Sequence, residues 1–171
     1  MADRTFLRYP CPASLDTSPS NNFGEKKRPG DGVYKRKECH GGSDIPPNVP
    51  KTAGDPVFPV RDGTVFFVGK ETESSKWGND YGNRVLVKHV FKLGGKKFKR
   101  YSFYAHLQTV LVKKGQAIAV TDQLGTMGDT GHSTGPHVHF EWHSQPFWRL
   151  GVRDPFPALD EIRRTELAGK K

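Results

Sequence analysis

The pattern of hydrophobic and polar positions predicts a domain built mainly from short β-strands. From Pro56 onward, runs rich in β-branched and aromatic residues alternate with turn residues at short spacing. Strands that follow each other so closely favour antiparallel pairing over βαβ units, which need a crossover helix between strands. The predicted strands cover residues 57–60, 63–69, 83–90, 98–107, 109–113, 116–120 and 136–142.

Glycine and proline predict the connections around these strands. Gly94-Gly95 lies near the middle of residues 84–104, between β-favouring runs, and indicates a hairpin turn. Prolines scattered through residues 1–50 predict a long N-terminal coil that wraps the sheet. We find no internal repeat and no composition break, so we expect a single compact antiparallel β-sheet domain over residues 1–171, with its core at about 6–157.

The end of the chain carries the one convincing helical pattern. Leu159 and Ile162 lie at helical spacing within residues 157–168, and Gly169 follows as a stop signal. We therefore predict a short C-terminal helix over about 157–168.

Charge and hydropathy narrow the class of protein. The chain has 27 Lys and Arg against 18 Asp and Glu, a formal net charge of +9, so we expect its surface to attract anionic polymers. Nucleic acid and phosphate-rich bacterial envelopes both meet that description, and charge alone does not choose between them. No run of about 18 apolar residues is present, which argues against a membrane span. The N-terminus lacks an apolar signal region, so we expect synthesis in the cytoplasm without a signal peptide.

Two histidines near the last predicted strand are candidates for metal chemistry. Residues 137–142 alternate polar and apolar, so His137, His139 and Glu141 share one strand face. Val138, Phe140 and Trp142 share the other face, which we expect to be buried. Two imidazoles two residues apart on a strand lie within about 7 Å, which suits a metal ligand beside a second ligand or a base.

A second cluster, His40-Gly41-Gly42-Ser43-Asp44, offers an imidazole and a carboxylate from one tight loop. The glycines oppose a helix and let both side chains reach one ion, and zinc accepts this nitrogen and oxygen pair. Tyr104-Ala105-His106-Leu107 supplies a further imidazole at a strand end. We interpret His89, His132 and His143 as structural or surface residues. Cys11 and Cys39 permit either one disulfide or two free thiols.

At these residues the sequence resembles the lysostaphin-type (LytM-like) zinc metallopeptidases, which cleave the peptide part of bacterial peptidoglycan. Three motifs match in order: His40-x-Gly42-x-Asp44, Tyr104-Ala105-His106-Leu107, and residues 131–141, which contain His137-Val138-His139. The resemblance covers roughly residues 6–157. It implies a mostly antiparallel β-sheet fold of the duplicated hybrid motif type, with a groove between loops.

Carried over residue by residue, the resemblance implies that His40, Asp44 and His139 bind one zinc ion. His106 and His137 are implied to line the water and the scissile bond. We expect one of these two histidines, either His106 or His137, to accept the proton of the water and the other to donate a proton. Tyr34 corresponds to an oxyanion-stabilising tyrosine in some relatives.

These observations predict a zinc-dependent endopeptidase that hydrolyses peptide cross-links of peptidoglycan, and specifically a bacteriophage lysin. We expect it to act on the cell wall after release from the host cytoplasm, or as a part of the virion. Expected partners are peptidoglycan and anionic envelope polymers, with no nucleic acid, no membrane span and a monomeric state. The predicted target is the D-alanyl cross-link of diaminopimelate-type walls, and a glycine bridge is the alternative bond.

Three other classes of protein compete with this prediction. A non-catalytic module of the same fold would bind peptidoglycan or activate an amidase. A cupin-like metal protein also uses His-x-His on a strand, but Glu141 does not have the spacing that cupins need. A basic nucleic-acid binder would bind DNA with a steep salt dependence and no metal requirement.

Overall fold

The chain folds around one antiparallel sheet, which confirms the predicted fold class. A computed structural model describes residues 5–20, 40–70, 81–146 and 152–169. The described strands are β1 Ser43–Ile45, β2 Pro56–Val57, β3 Gly63–Gly69, β4 Asn83–Leu93, β5 Lys96–Val110, β6 Ala117–Ile118, β7 Gly125–Met127, β8 Val138–His143 and β9 Val152–Arg153, and the helix α1 is Phe156–Ala168. The main sheet order is β1-β8-β5-β4-β3-β6; β7 joins β5 to β2, and β9 pairs with β8.

The strand boundaries differ from the predicted ones where the tertiary structure decides them. β5 is one long strand, although the sequence predicts separate strands over 98–107 and 109–113. Its pairing with β7 shifts register between Leu107 and Thr109, so an irregularity replaces the expected break. β1, β7 and β9 have three residues or fewer, too few to show an alternating pattern, and the sequence did not predict them.

The predicted hairpin and helix are both present. β4 and β5 are joined through Gly94 and Gly95, whose φ angles of 54° and 74° favour glycine and suit a tight hairpin turn. Helix α1 buries Leu159 and Ile162 in the main core. Among the described residues, no helix is long and apolar enough to cross a membrane.

The described part of the N-terminal coil packs against the sheet, as predicted. Phe6 is buried, and its ring meets Phe140 and Trp142 of β8 edge-on, with centroid distances of 5.7 and 5.0 Å. The Tyr9 backbone N–H donates to Glu166 of α1 at 2.7 Å, which fastens the coil to the helix. The coil therefore covers part of the apolar face of β8, and α1 is bonded to the coil.

Strand β8 positions the candidate site. It lies between β1 and β5, and all six of its residues are buried. Val138, Phe140 and Trp142 belong to the main apolar core. Because side chains alternate along a strand, His139, Glu141 and His143 share the opposite face. That polar face is buried too, whereas a half-exposed strand was expected.

Candidate metal centre

Three side chains converge to form a group that could hold a metal ion. His139 Nδ1 lies 3.0 Å from Asp44 Oδ1 and 3.1 Å from His40 Nε2, and His40 Nε2 lies 3.1 Å from the same Asp44 oxygen. Two imidazole nitrogens and a carboxylate oxygen are a donor set that zinc accepts, and three protein ligands are typical of catalytic sites with an open position. His40, Asp44 and His139 therefore fit a divalent metal.

Pairing of β1 with β8 assembles this group from distant parts of the sequence. Asp44 is directly opposite His139 in the register of the two strands. The two glycines before Ser43 allow the close approach. A Cβ on Gly41 would lie 2.9 Å from Glu141 Oε1, and one on Gly42 would collide with the Phe140 carbonyl. The Gly-Gly pair thus brings His40 and Asp44 against the polar face of β8.

Burial and hydrogen bonding have opposite effects on the pKa values of Asp44 and His139. Burial by itself would raise the pKa of Asp44, but contacts with His139 and His40 outweigh it and hold that pKa far below its usual range. Burial would lower the pKa of His139, and its bonds to Asp44 and Glu141 outweigh that effect and raise it. Asp44 is therefore an anion at neutral pH, as a metal ligand must be.

His106 lies beside the group in a strained backbone conformation. Its φ is 61°, in the left-handed region that non-glycine residues rarely adopt, and such strain is concentrated at functional sites. Its Nδ1–H donates to the Thr130 carbonyl at 2.8 Å, which leaves Nε2 unprotonated in the neutral ring. Burial lowers the pKa of His106 to about 4, so the ring is neutral at pH 7.

His137 precedes β8 and faces both His106 and the acidic residue of the group. Its ring centroid is 4.7 Å from that of His106, and its Nε2 lies 3.7 Å from Asp44 Oδ1. Its Nδ1–H donates to the Gly135 carbonyl at 2.8 Å, so Nε2 is again the nitrogen available for proton transfer. The side chain is 20% exposed, which leaves an approach from solvent.

The structure brings together all five residues that the sequence singled out. Their assignment as metal ligands and proton carriers stays a prediction. Sequence reasoning interpreted His143 as structural or superficial, and the structure shows it fully buried and bonded to Glu141, a contact that was not expected. Its spacing of four residues from His139 on one strand was the available signal. Of the other two histidines set aside, His89 is buried away from the group and His132 is exposed.

Two of the predicted features cannot be placed. Tyr34 and Cys39 lie outside the described residues. Cys11 is buried, and burial raises the pKa of its thiol above the usual range.

Comparison with known proteins decides the family. The model of peptidase family M23 matches residues 38–147, which contain all five site residues. The chain belongs to peptidase family M23. This confirms the metalloendopeptidase class and the lysostaphin-like resemblance, and the His40, Asp44 and His139 group agrees with a metallopeptidase family.

Curated relatives in family M23 include enzymes with two different named specificities. The chain is 32% identical over 141 residues to the peptidoglycan DD-endopeptidase ShyB of Vibrio cholerae, a match that covers 81% of this chain and 28% of that protein. It is 30% identical over 156 residues to a glycyl-glycine endopeptidase of Staphylococcus capitis, covering 91% of this chain and 39% of that protein. The chain thus spans well under half of the length of these relatives.

Solved structures agree with the fold. The catalytic domain of lysostaphin from Staphylococcus simulans aligns with a TM-score of 0.62 and 25% identity, covering 85% of this chain and 94% of that domain. A zinc-containing peptidase from Vibrio cholerae aligns with a TM-score of 0.58 and 30% identity, covering 88% of this chain and 38% of that one.

Proposed function

We propose that this M23 domain is a zinc-dependent endopeptidase that hydrolyses peptide cross-links of bacterial peptidoglycan. The observation that carries the proposal is the convergence of His40 Nε2, Asp44 Oδ1 and His139 Nδ1 within 3.1 Å of one another, beside the paired rings of His106 and His137. The named activities of the peptidoglycan endopeptidase relatives support the substrate class.

His40, Asp44 and His139 are the proposed zinc ligands. Bound zinc supplies a Lewis acid for the scissile carbonyl and lowers the pKa of a water molecule from 15.7 to about 7. The mixture of two imidazoles with one carboxylate supports zinc over magnesium or calcium, which prefer all-oxygen sites. The structural relative from Vibrio cholerae is a zinc-containing peptidase, which points the same way.

His106 and His137 are the proposed proton carriers. Each donates Nδ1–H to a backbone carbonyl, Thr130 and Gly135 respectively, so each has Nε2 available to accept a proton. One ring accepts the proton of the attacking water at Nε2. The other, first protonated at Nε2 from solvent, donates that proton to the oxyanion or to the leaving amine. General acid–base groups of this kind contribute about 10²- to 10⁴-fold to rate.

The D-alanyl cross-link of diaminopimelate-type walls is the proposed bond. The relative named a DD-endopeptidase supports it. A glycine bridge is the second candidate, because another relative of comparable identity is named a glycyl-glycine endopeptidase.

The test is hydrolysis of purified peptidoglycan from one diaminopimelate-type wall and one glycine-bridged wall. Each digestion is run with zinc, after chelation, and after zinc is restored, with His137→Ala as the inactive control. We expect new amino termini without new reducing ends, lost on chelation and regained with zinc, and the wall that responds identifies the bond. Sedimentation with the wall but no cleavage by the zinc-loaded protein would favour the binding-module alternative.

Anionic envelope polymers are a second proposed partner, and the β4–β5 hairpin is the proposed contact. Residues 81–121 contain nine Lys and Arg and no Asp or Glu, which accounts for the whole net charge of the chain. Lys92 and Lys97 are exposed and directly opposite each other, a repulsive pair that an external anion would relieve. Within the described part of the chain, neither lysine forms a salt bridge with an acidic residue.

Binding to polyglycerol phosphate tests this second partner. We expect the double variant Lys92→Gln/Lys97→Gln to weaken binding and to reduce its salt dependence, because fewer counterions are released. Lys51→Gln, an exposed lysine outside the hairpin, is the control. Unchanged binding by the double variant would rule out the hairpin.

The setting of a phage lysin is also part of the proposal, and only the sequence-based expectation supports it. Added to outer-membrane-permeabilised cells, the purified protein should lower their turbidity. A failure to lyse such cells, with purified walls still cut, would argue against that setting.

A further inference from the structure

Glu141 is a buried carboxylate directly behind the proposed metal ligand His139. It is 1% exposed, and it accepts hydrogen bonds from His139 Nε2–H at 2.8 Å, from the Tyr81 hydroxyl at 3.1 Å and from His143 Nε2–H at 2.6 Å. Within the described residues, no lysine or arginine forms a salt bridge with it. A buried carboxylate is costly unless hydrogen bonds and positive charge close to it offset the loss of water.

A divalent cation at the His40, Asp44 and His139 group would supply that charge. Asp44 and Glu141 together carry two negative charges, which balance one divalent ion. Both oxygens of Glu141 accept hydrogen bonds, three in all, as suits an ionised carboxylate. Glu141 would therefore face a bound metal through the imidazole of His139.

Glu141 also fixes which nitrogen of His139 can bind the metal. Glu141 Oε1 accepts from Nε2–H, so the neutral ring has its lone pair on Nδ1. Nδ1 is the atom that lies 3.0 Å from Asp44 Oδ1 and 3.1 Å from His40 Nε2. Without this acceptor, the ring could protonate at Nδ1 and lose its capacity as a ligand.

His143 forms a hydrogen bond with the second oxygen of Glu141. It is fully buried on the same face of β8, and its Nε2–H donates to Oε2. Tyr81 shares Oε1 with His139. These two bonds prevent the carboxylate from rotating away from the imidazole.

We propose that Glu141, fixed by His143 and Tyr81, is a positioning residue that sets the metal affinity of this domain through His139. The inference uses the metal ligands of the proposed function but not its substrate. Outer partners of metal-bound histidines typically change metal affinity by about 10- to 100-fold.

The test compares zinc affinity in Glu141→Gln, His143→Phe and Tyr81→Phe by competition with a chromophoric chelator. Glu141→Gln keeps the size of the side chain and an acceptor for His139 but removes the charge. We expect a loss of affinity of about 10- to 100-fold for Glu141→Gln, with smaller losses for His143→Phe and then Tyr81→Phe. Excess zinc should restore most of the peptidase activity, which it would not do for a residue needed only for folding.

His89→Phe is the matched control, because His89 is also a fully buried histidine of the sheet but lies away from the site, where it bonds the Asp62 carbonyl and the Ser102 hydroxyl. We expect it to lower the midpoint of thermal unfolding without changing zinc affinity.

Two results would overturn the inference: wild-type zinc affinity in Glu141→Gln, or equal effects of His143→Phe and His89→Phe on zinc affinity. Should Glu141→Gln not fold, His143→Phe and Tyr81→Phe decide the matter by the same measurement. Loss of zinc affinity in a protein that cuts no peptidoglycan would uphold the inference and contradict the proposed function. Normal zinc affinity in an active Glu141→Gln enzyme would contradict the inference and leave the proposed function intact.

Discussion

His139 and His106 lie in one site, with ring centroids 6.0 Å apart, but different groups orient them. His139 donates to the carboxylate of Glu141, and its contacts with Glu141 and Asp44 raise its pKa. His106 donates to the backbone carbonyl of Thr130, and burial lowers its pKa to about 4. A carboxylate partner makes an imidazole a stronger electron donor, which favours metal binding.

A carbonyl partner fixes the tautomer without adding charge. His137, held by the Gly135 carbonyl, belongs with His106 in this respect. The site thus separates into a proposed ligand side, where a carboxylate orients His139, and a proposed proton-transfer side, where backbone carbonyls orient His106 and His137. Rings that must gain and lose a proton during turnover benefit from partners that favour the charged state less strongly than a carboxylate does.

The largest effect is expected on the ligand side. His139→Ala, Asp44→Ala or His40→Ala should abolish both bound zinc and peptidase activity, because each removes one of the three proposed protein ligands. Metal content by elemental analysis, measured alongside wall hydrolysis, checks this. His132→Ala, an exposed histidine outside the group, should leave both unchanged. Stoichiometric, tightly bound zinc in the Asp44→Ala protein would contradict the ligand assignment.

Substitution on the proton-transfer side should separate activity from metal content. We expect His137→Ala and His106→Asn to retain zinc and to lose about 10²- to 10⁴-fold in kcat. Asparagine is chosen at position 106 because it tolerates the left-handed backbone found there. Peptidoglycan hydrolysis and metal content are measured on the same preparations. Full activity in the His106→Asn enzyme would remove His106 from the mechanism.

The hydrogen bond from His106 Nδ1–H to the Thr130 carbonyl, called the tether below, can be tested through Gly82. Gly82 has a φ of 58°, and a Cβ there would collide with Thr130, whose carbonyl holds the imidazole. Gly82→Ala should therefore shift Thr130 and misplace His106, at a cost of up to about 10²-fold in kcat, with zinc binding kept.

Gly95→Ala is the matched control for that variant. Gly95 has a similar φ of 74°, but a methyl group at this position would have no neighbour within 4 Å, so the substitution introduces backbone strain alone. Both variants should lose stability, measured by urea unfolding, and only Gly82→Ala should lose activity. Equal kcat values for the two would show that the tether does not matter.

The last prediction concerns stability rather than activity. It is made for His89, which lies away from the site and, like His106, donates to a backbone carbonyl. His89 donates Nδ1–H to the Asp62 carbonyl at 2.9 Å and accepts from the Ser102 hydroxyl, and burial lowers its pKa to about 4. The folded state thus favours the neutral ring, whose ordinary pKa is about 6.5. The stability that follows is complete above pH 6.5 and is lost as the pH falls towards 4, by up to about 3 kcal/mol.

Urea unfolding at pH 7, 5.5 and 4.5 measures this loss. His89→Asn cannot titrate, so its free energy of unfolding should fall less steeply with decreasing pH than that of the wild type. Parallel pH profiles for the two proteins would show that His89 is not buried as a neutral ring.

Much of the fold and most of the site could be predicted from local patterns. β3 has the predicted bounds, the Gly94-Gly95 hairpin is present, and α1 begins one residue before the predicted start. These elements carry their signals in adjacent residues, as alternation, turn glycines or helical spacing. The chemistry-bearing residues were also recognisable, because His-x-His and His-x-x-x-Asp are short-range patterns.

Other features depended on residues far apart in the sequence. β1 has only three residues and is a strand because β8 pairs with it. That pairing, across 95 residues, brings Asp44 to His139. Burial of the polar face of β8 likewise comes from its neighbours, and it turns Glu141 and His143 from ordinary strand residues into a buried pair.

The sequence by itself thus determined the candidate residues for the chemistry and the short segments that fold locally, since propensity and periodicity act between near neighbours. The tertiary structure alone decided which nitrogen of each histidine forms a hydrogen bond, which group is its partner, and how far the ring is buried from water. Those properties depend on groups that only the folded sheet places within hydrogen-bond distance, and on the exclusion of water around them.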